Sequence, residues 1–171
     1  MIELIAVLII IGVLGAVAAS RFFDRASIDA DTFTVQTRAM LRYGQKLAIA
    51  QNRPVFARID TTRVALCFDA GCQANSRIVG PAAANSGSAR TLQYCDNSTT
   101  WLCEGIPDGV TQTVSGPGAS FAFDALGKPH AVNANGTLGN FQRVLVRIRG
   151  DGDDVGVDRQ VMVVPETGYV Y

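Results

Sequence analysis

The strongest constraint on the fold is a long apolar segment at the start of the chain. From Leu4 to Ala19 no side chain is charged or strongly polar; Glu3 stands at its edge, and the next charge is Arg21. A helix over this segment is about 24 Å long, and its flanks bring it near the roughly 30 Å thickness of the hydrocarbon layer of a bilayer. Because a helix that is apolar on every side is rare in a soluble domain, we predict a transmembrane helix over residues 1–20.

A cleaved signal peptide is the alternative interpretation of this segment. Such a peptide begins with basic residues and ends at a motif of small residues, whereas this chain begins with an acid and has only weak small-residue spacing before Ala19. We therefore favour a helix that is retained. Glu3 is then either a functional group, since an ionisable side chain at mid-membrane costs on the order of 3 kcal/mol, or a helix-start carboxylate that reaches the headgroups.

The helical pattern continues over residues 21–53 as an amphipathic helix. No proline occurs before Pro54, and a basic face recurs at steps of four residues: Arg38, Arg42 and Lys46. Another face recurs at steps of three and four residues: Phe33, Thr37, Met40, Leu41, Gly44, Ala48 and Gln51. This pattern predicts a helix that lies against a domain and ends near Asn52–Arg53.

After Pro54 the hydrophobic period changes to two. "VFARID" and "RVALCF" predict a hairpin that places Val64, Leu66 and Phe68 on one face, and the segments after residue 118 predict further strands. Residues of about 69–118 are rich in Gly, Asn, Ser and Pro, which predicts an irregular insertion with one or two short strands. The predicted fold class is therefore α+β: a long N-terminal α-helix packed on an antiparallel β-sheet domain over 54–171.

The cysteines indicate the compartment of this domain. No Cys-x-x-Cys motif occurs, and His130 is distant in sequence, which disfavours a zinc site. Two disulfides, and hence an oxidising compartment, are favoured over free buried thiols. Four cysteines allow three pairing schemes, and we favour the one that consists of two local disulfides, Cys67–Cys72 and Cys95–Cys103.

Motifs for catalysis and cofactors are absent from the sequence. His130 is not accompanied by a nucleophile in a motif, and neither a Walker loop nor GxGxxG occurs. "GDGDD" (Gly150–Asp154) lacks the glutamate of a calcium loop and is typical of a solvated hairpin turn. We therefore predict no catalytic residues, no metal and no cofactor, and we expect a protein that is not an enzyme.

An arginine stripe in "FQRVLVRIR" is the one candidate for contact with nucleic acid. Arg143, Arg147 and Arg149 alternate with Val144, Val146 and Ile148, and could touch a phosphate backbone. The chain has 15 basic and 15 acidic residues, and no aromatic side chain lies between the arginines. An outward solvated face is therefore favoured, and nucleic acid is not an expected partner.

Several segments resemble one family. "IELIAVLIIIGVLGAVAASRF" resembles the N-terminal helix of type IV pilins and type II secretion pseudopilins. "RAMLRYGQKLAIAQNRPVFARID", "FAFDALGKP" and "VMVVPETGY" resemble the helix-to-strand passage and late strands of the GspH/FimT-like minor pilins. Residues of about 70–118 are unmatched, and the four cysteines resemble those of the minor pilins of the MSHA pilus.

The resemblance implies an assembly role. Glu3 matches the glutamate that pairs with the N-terminal ammonium of a neighbouring subunit, and residues 4–19 would anchor the subunit and later pack in the filament core. The implied location is the inner membrane, as a single-pass protein with its C-terminal domain in the periplasm, and afterwards a pilus or pseudopilus. The implied partners are other pilin or pseudopilin subunits, an inner-membrane assembly platform and membrane lipid.

The chain departs from the family pattern near its start. The leader and the first two mature residues, including the one that is methylated, are expected before Met1, or else Met1 is a misassigned start. Ser20 stands where many pilins have proline, so a kink is not expected there. Besides an MSHA-type minor pilin, we consider a type II secretion pseudopilin, a DNA-uptake pilin that uses the arginine stripe, and a membrane-anchored periplasmic enzyme or inhibitor.

Overall fold

The computed structural model describes residues 2–22, 25–80, 84–116, 120–153 and 157–171, with the side chains of all of these except Ile2 and residues 16–22. Two long helices come first, α1 (Ile2–Phe22) and α2 (Arg25–Gln51). A 3₁₀ turn (Ala74–Ser76) and a short helix, α3 (Ala89–Tyr94), follow within the region predicted to be an insertion. The remaining elements are β-strands, and the predicted α+β class is confirmed.

α1 presents its side chains to solvent rather than to the domain. Every described side chain from Glu3 to Gly15 is exposed, and large apolar residues such as Leu4 and Leu14 expose about two-thirds of their surface (66% and 64%). Within the part of the chain that the structure describes, no helix combines the length and the apolar character that crossing a membrane requires.

α2 is amphipathic in the way its sequence period predicts. One face is buried against the strands: Ala30, Phe33, Thr34, Thr37, Met40, Leu41, Gly44 and Ala48. Gln51, which the period placed with these residues, is exposed because it lies in the last turn. The helix ends where Asn52 adopts a left-handed backbone (φ 49°), two residues before Pro54.

The strands form two antiparallel sheets rather than the single sheet that the sequence pattern predicts. The first is six-stranded, in the order β3-β2-β1-β5-β6-β7. Its strands are β1 (Val55–Ile59), β2 (Arg63–Cys67), β3 (Cys103–Gly105), β5 (Ser120–Phe123), β6 (Pro129–Val132) and β7 (Leu138–Gly139). The second has the order β4-β8-β9, with β4 (Val110–Ser115), β8 (Val144–Gly150) and β9 (Arg159–Val163). The sheets separate because β4 pairs with β8, from Val110 opposite Gly150 to Ser115 opposite Leu145.

One core joins α2 to both sheets. Phe33 and Leu41 of the helix share it with Leu66 and Phe121 of the first sheet and with Ile148 of the second, and all five are at most 1% exposed. The helix approaches the first sheet closely at Gly44, where an added Cβ would lie 3.2 Å from both methyl carbons of Leu66. The missing side chain therefore sets the distance between helix and sheet.

A second, smaller core lies on the opposite face of β2. It consists of Ala65, Cys67, Cys72, Cys95, Trp101 and Cys103. The structure contains the disulfides Cys67–Cys72 and Cys95–Cys103, with Cα–Cα distances of 5.3 and 5.9 Å. Trp101 Nε1 donates to the Leu66 carbonyl (3.0 Å). β2 is thus buried on both faces, whereas strand alternation predicted burial only on the side of Val64 and Leu66.

Gly44 provides a test of this arrangement. We expect Gly44→Leu to lower the free energy of unfolding by about 1–3 kcal/mol, because the new side chain would overlap Leu66 and Val55. Ala50→Leu, on the exposed side of the same helix, is the matched control and should change stability by less than about 0.5 kcal/mol. Thermal unfolding of the full chain in detergent measures both values, and equal effects would contradict the close packing.

Candidate assembly site

Glu3 and the helix that follows it form the first candidate site. Glu3 lies in the first turn of α1, where a carboxylate interacts favourably with the helix dipole. Its side chain is exposed, and so are the apolar side chains that follow it up to Gly15. A single acid at the tip of an apolar surface has a clear chemical consequence. In lipid or in a packed helix bundle, burial of the ionised carboxylate raises the free energy unless a cation lies next to it.

The outward face of α2 also carries exposed apolar side chains. Ile28 and Val35 are each 64% exposed and Ile49 is 50% exposed, although all three lie on an ordered helix. Their separations are multiples of seven residues, so they form a stripe opposite the buried face. This spacing is visible in the sequence, although the sequence analysis considers only the basic face and the buried face of the helix. A helix exposed in this way is suited to contact with another helix.

Glu104 is a buried carboxylate that the sequence did not mark. It lies on β3 with 3% of its surface exposed and accepts hydrogen bonds from Gln36 Nε2 (2.7 Å), the Ser86 amide (2.9 Å) and Thr91 Oγ1 (2.7 Å). The Ser86 hydroxyl also donates to it. The carboxylate therefore ties α2 to the segment that leads into α3. No local motif could have shown this, because the Gln36 donor is 68 residues away in sequence.

The arginine stripe is partly neutralised within the fold. Arg149 donates to the Asp158 carboxylate, and Arg147 Nε lies 3.9 Å from the other oxygen of the same group. The hydrogen bond from Arg149 lowers the pKa of Asp158, and the same contact raises the pKa of Arg149. Arg143 is exposed and lies just before β8 begins. The structure thus brings two of the three arginines together, around one shared acid.

Asp153 of "GDGDD" makes local contacts. Asp153 accepts hydrogen bonds from the Gly150 backbone N–H (2.7 Å) and from Arg159 Nη1 (2.5 Å), and the hydrogen bond from Gly150 is the main cause of its lowered pKa. Arg159 also pairs with Asp31 of α2 (2.5 Å). The predicted turn residue Asp154 lies outside the described residues. In the described part of the chain, no group of three or more His, Cys, Asp or Glu side chains is arranged to hold a metal ion.

His130 is paired rather than isolated. Its Nε2 lies 2.8 Å from Asp124 Oδ2 across the β5–β6 turn. Partial burial opposes ionisation of Asp124, but hydrogen bonds from His130 and from the Lys128 and Leu126 amides outweigh it, so the pKa of Asp124 is lowered. The pair stabilises a turn.

Comparison with known proteins gives only distant similarities. No protein-family model and no curated protein matches the sequence. Among solved structures, the chain is similar to the type IV minor pilin FimU of Pseudomonas aeruginosa, with 15% identity, a TM-score of 0.48, and coverage of 86% of this chain and 87% of that one. It is also similar to the minor pseudopilin EpsH of the type II secretion system of Vibrio cholerae, with 16% identity, a TM-score of 0.49, and coverage of 86% and 95%.

Glu104 offers a test of how the segment before α3 is held. We expect Glu104→Leu to lower the free energy of unfolding by about 2–4 kcal/mol, because the donors of Gln36, Ser86 and Thr91 lose their acceptor. Hydrogen exchange in α3 should accelerate in the same variant. Glu166→Leu, at an exposed glutamate, is the control. Unchanged exchange in α3 would show that Glu104 does not hold this segment.

Proposed function

We propose that this chain is a minor pilin or pseudopilin subunit, a structural protein that is anchored by α1 and then assembled into a filament or its tip. The observation that carries the proposal is the contrast between the two ends of the chain. The domain buries its own core around α2, whereas α1 exposes every described side chain from Glu3 to Gly15. A helix with this surface needs a second environment, first lipid and then other helices.

The size of the exposed surface supports membrane anchoring. Nine large apolar side chains of α1 are exposed: Leu4, Ile5, Val7, Leu8, Ile9, Ile10, Ile11, Val13 and Leu14. Burial of such side chains contributes about 1.5–3 kcal/mol each, so their removal from water gains roughly 20 kcal/mol. That gain exceeds the cost of placing Glu3 near the membrane boundary, on the order of 3 kcal/mol. We infer a single-pass protein of the inner membrane.

Glu3 provides register in the proposed assembly. Apolar helices can slide past one another with little change in energy, whereas a buried carboxylate is stable only opposite a cation. We propose that this cation is the N-terminal ammonium of a neighbouring subunit. The apolar surface then supplies attraction, and Glu3 selects one relative position of the helices.

The two disulfides support a periplasmic location for the domain. Disulfides persist in oxidising compartments, and Cys95 and Cys103 are both fully buried in the small core around Trp101. The partners we propose are other pilin or pseudopilin subunits, an inner-membrane assembly platform and membrane lipid.

Within this class we favour a minor pilin of the MSHA pilus, similar to MshC, over a type II secretion pseudopilin. The support is the resemblance of the four cysteines to those of the MSHA-type minor pilins. Nucleic-acid binding is not favoured, because Asp158 offsets part of the charge of Arg147 and Arg149. Deletion of the gene separates the two systems: loss of surface pili with normal protein secretion fits a pilus, and the reverse fits a pseudopilus.

Membrane anchoring is the first testable consequence. We expect the full chain, expressed in a Gram-negative bacterium, to remain in the membrane pellet after carbonate extraction. The quadruple variant Ile5→Arg/Leu8→Arg/Ile11→Arg/Leu14→Arg should be released, because it removes four of the exposed apolar side chains of α1 and each arginine near the middle of a membrane helix costs about 2.5–3.5 kcal/mol. Val35→Arg, on the exposed face of α2, is the control and should stay in the pellet. Release of the unchanged chain would exclude the anchor.

The role of Glu3 is the second consequence. Glu3→Ala should insert in the membrane normally but enter filaments at least about tenfold less, since the ammonium of the neighbour would lose its partner. Shearing of cells followed by blotting of the filament fraction measures incorporation. Glu3→Asp retains the negative charge and should retain most of the incorporation into filaments. If Glu3→Ala is incorporated at the normal level, the registration role is excluded.

A further inference from the structure

In the described part of the chain, the two sheets have four edges, and three of these edges are short or covered. β7 has two residues and β3 has three, and every residue of β3 is buried. β9 is covered by the C-terminal segment, since Met162 and Tyr171 exchange backbone hydrogen bonds of 2.8 and 3.1 Å. The fourth edge is β4, a strand of six residues that pairs with β8 on one side.

The register of β4 shows which of its backbone groups point away from β8. In an antiparallel pair, alternate residues turn their N–H and C=O groups toward the partner strand. The Asp151 amide donates to the carbonyl of Gly109, which precedes β4 (2.6 Å), so the odd-numbered residues bond to β8. The backbone groups of Gln112 and Val114 therefore point to the other side. There they make no hydrogen bond to another backbone group of the described residues.

The sequence of β4 lacks the features that keep an exposed edge from pairing with another strand. Natural edge strands carry charged side chains, prolines or bulges. "VTQTVS" contains neither a charged residue nor a proline, and it pairs with β8 without a bulge from Val110 to Ser115. It is rich in valine and threonine, which favour an extended backbone. Such an edge can accept one more strand.

The side chains of β4 indicate what kind of strand fits beside it. Val110 and Gln112 face the core and are 8% and 7% exposed, Val114 is half-buried, and Thr111 and Thr113 are exposed. The Gln112 side chain leaves one acceptor open, because its Nε2 donates to a backbone carbonyl (2.8 Å) while its Oε1 has no donor among the described residues. An added strand should therefore place apolar side chains inward, beside Val114, and polar side chains outward, beside Thr113.

Charge does not select the partner of this edge. The strand itself has no charged side chain, and the strands and turns that adjoin it carry charges of both signs: Asp60, Arg63, Asp108, Arg143, Arg147, Arg149, Asp151 and Asp158. Several of these groups are already paired within the fold, Asp60 with Arg63 and Asp158 with both Arg147 and Arg149. The main-chain groups at the edge are therefore the features that specify an occupant.

We infer that β4 is a site of strand addition, and that its occupant is an extended segment of a different protein chain. This segment pairs with the backbone of Gln112 and Val114 and alternates apolar and polar side chains. In such contacts the main-chain hydrogen bonds provide affinity, and the alternating side chains provide specificity. The inference goes beyond the proposed function and rests on it in one respect. A minor subunit has mostly subunits of other kinds as neighbours, so the occupant is not a second copy.

Amide exchange of the full chain in a non-ionic detergent tests the state of this edge. In the chain alone, the amides of Thr111 and Thr113 should exchange slowly because they bond to β8, and those of Gln112 and Val114 should exchange quickly. A short peptide of alternating valine and threonine is the probe. It should slow exchange at Gln112 and Val114 at least about fivefold, as measured for each amide by ¹⁵N NMR. Slow exchange of these two amides without the peptide, whether caused by the fold or by a second copy, would overturn the inference.

Two methylated peptides make the test specific. N-methylation of every valine, or of every threonine, removes the donors from one edge of the peptide strand and leaves the other edge intact. One of the two peptides should bind like the unmodified peptide, and the other at least about tenfold more weakly. Antiparallel pairing predicts weak binding of the valine-methylated peptide, since residues opposite Gln112 and Val114 share their inward face. Equal affinities of the two peptides would contradict strand addition.

A variant of the edge gives an independent measurement. Val114→Pro removes an N–H that points away from β8, and proline is tolerated at such positions of edge strands. We expect this variant to keep the other amide resonances of the domain and to bind the peptide at least about fivefold more weakly. Val114→Thr retains the N–H and the size of the side chain, and should bind normally. Equal binding by the two variants would exclude pairing at this edge.

The outcome is separable from that of the proposed function, because peptide binding involves neither α1 nor Glu3. Binding by a chain that carbonate releases from the membrane would support strand addition and contradict the anchor. Absence of binding by a chain that resists extraction and depends on Glu3 for assembly would overturn strand addition alone.

Discussion

Gly44 of α2 lies against Leu66 and Val55, and the packing of the helix on the first sheet depends on this close contact. The same helix buries Phe33 and Leu41 in the core that the first sheet shares with the second. Since β4, β8 and β9 form a sheet separate from the other strands, α2 is the element that packs on both sheets. The buried face of α2 is therefore fully occupied, and only its outward face is available for a partner.

The insertion is stabilised differently from the rest of the domain. Its core is small and consists of Trp101, Ala65 and four half-cystines, while Glu104 satisfies the donors of the segment before α3. A small core buries little apolar surface, so the two disulfides and the fully hydrogen-bonded Glu104 carboxylate replace part of the hydrophobic contribution to stability. The disulfides and Trp101 lie on the far side of β2 from α2, whereas Glu104 contacts the helix through Gln36. This carboxylate therefore couples the insertion to the helix.

Features that depend on local periodicity could be predicted, and those that depend on distant pairing could not. The buried face of α2 and the hairpin at residues 55–67 follow from three-to-four and two-residue periods. The division into two sheets depends on the pairing of β4 with β8, about 35 residues later in the chain. The burial of the Glu104 carboxylate depends on a hydrogen bond from Gln36, which is also distant in sequence. α3 was missed because it has six residues and its capping residue, Ser88, lies in polar sequence. The ion pair between Asp158 and Arg149 could have been predicted, since a β8–β9 hairpin places the two residues side by side.

Attraction and direction come from different parts of this chain in the proposed assembly. The apolar surface of α1 provides strong but non-directional attraction, because a helix that is apolar on every side packs similarly at many rotations and offsets. Direction must then come from polar groups, and Glu3 lies in the first turn of α1, where it can provide it. Anchoring in a membrane would hold the subunits at high local concentration, so the pairing of Glu3 with a cation can be weak and still select one arrangement.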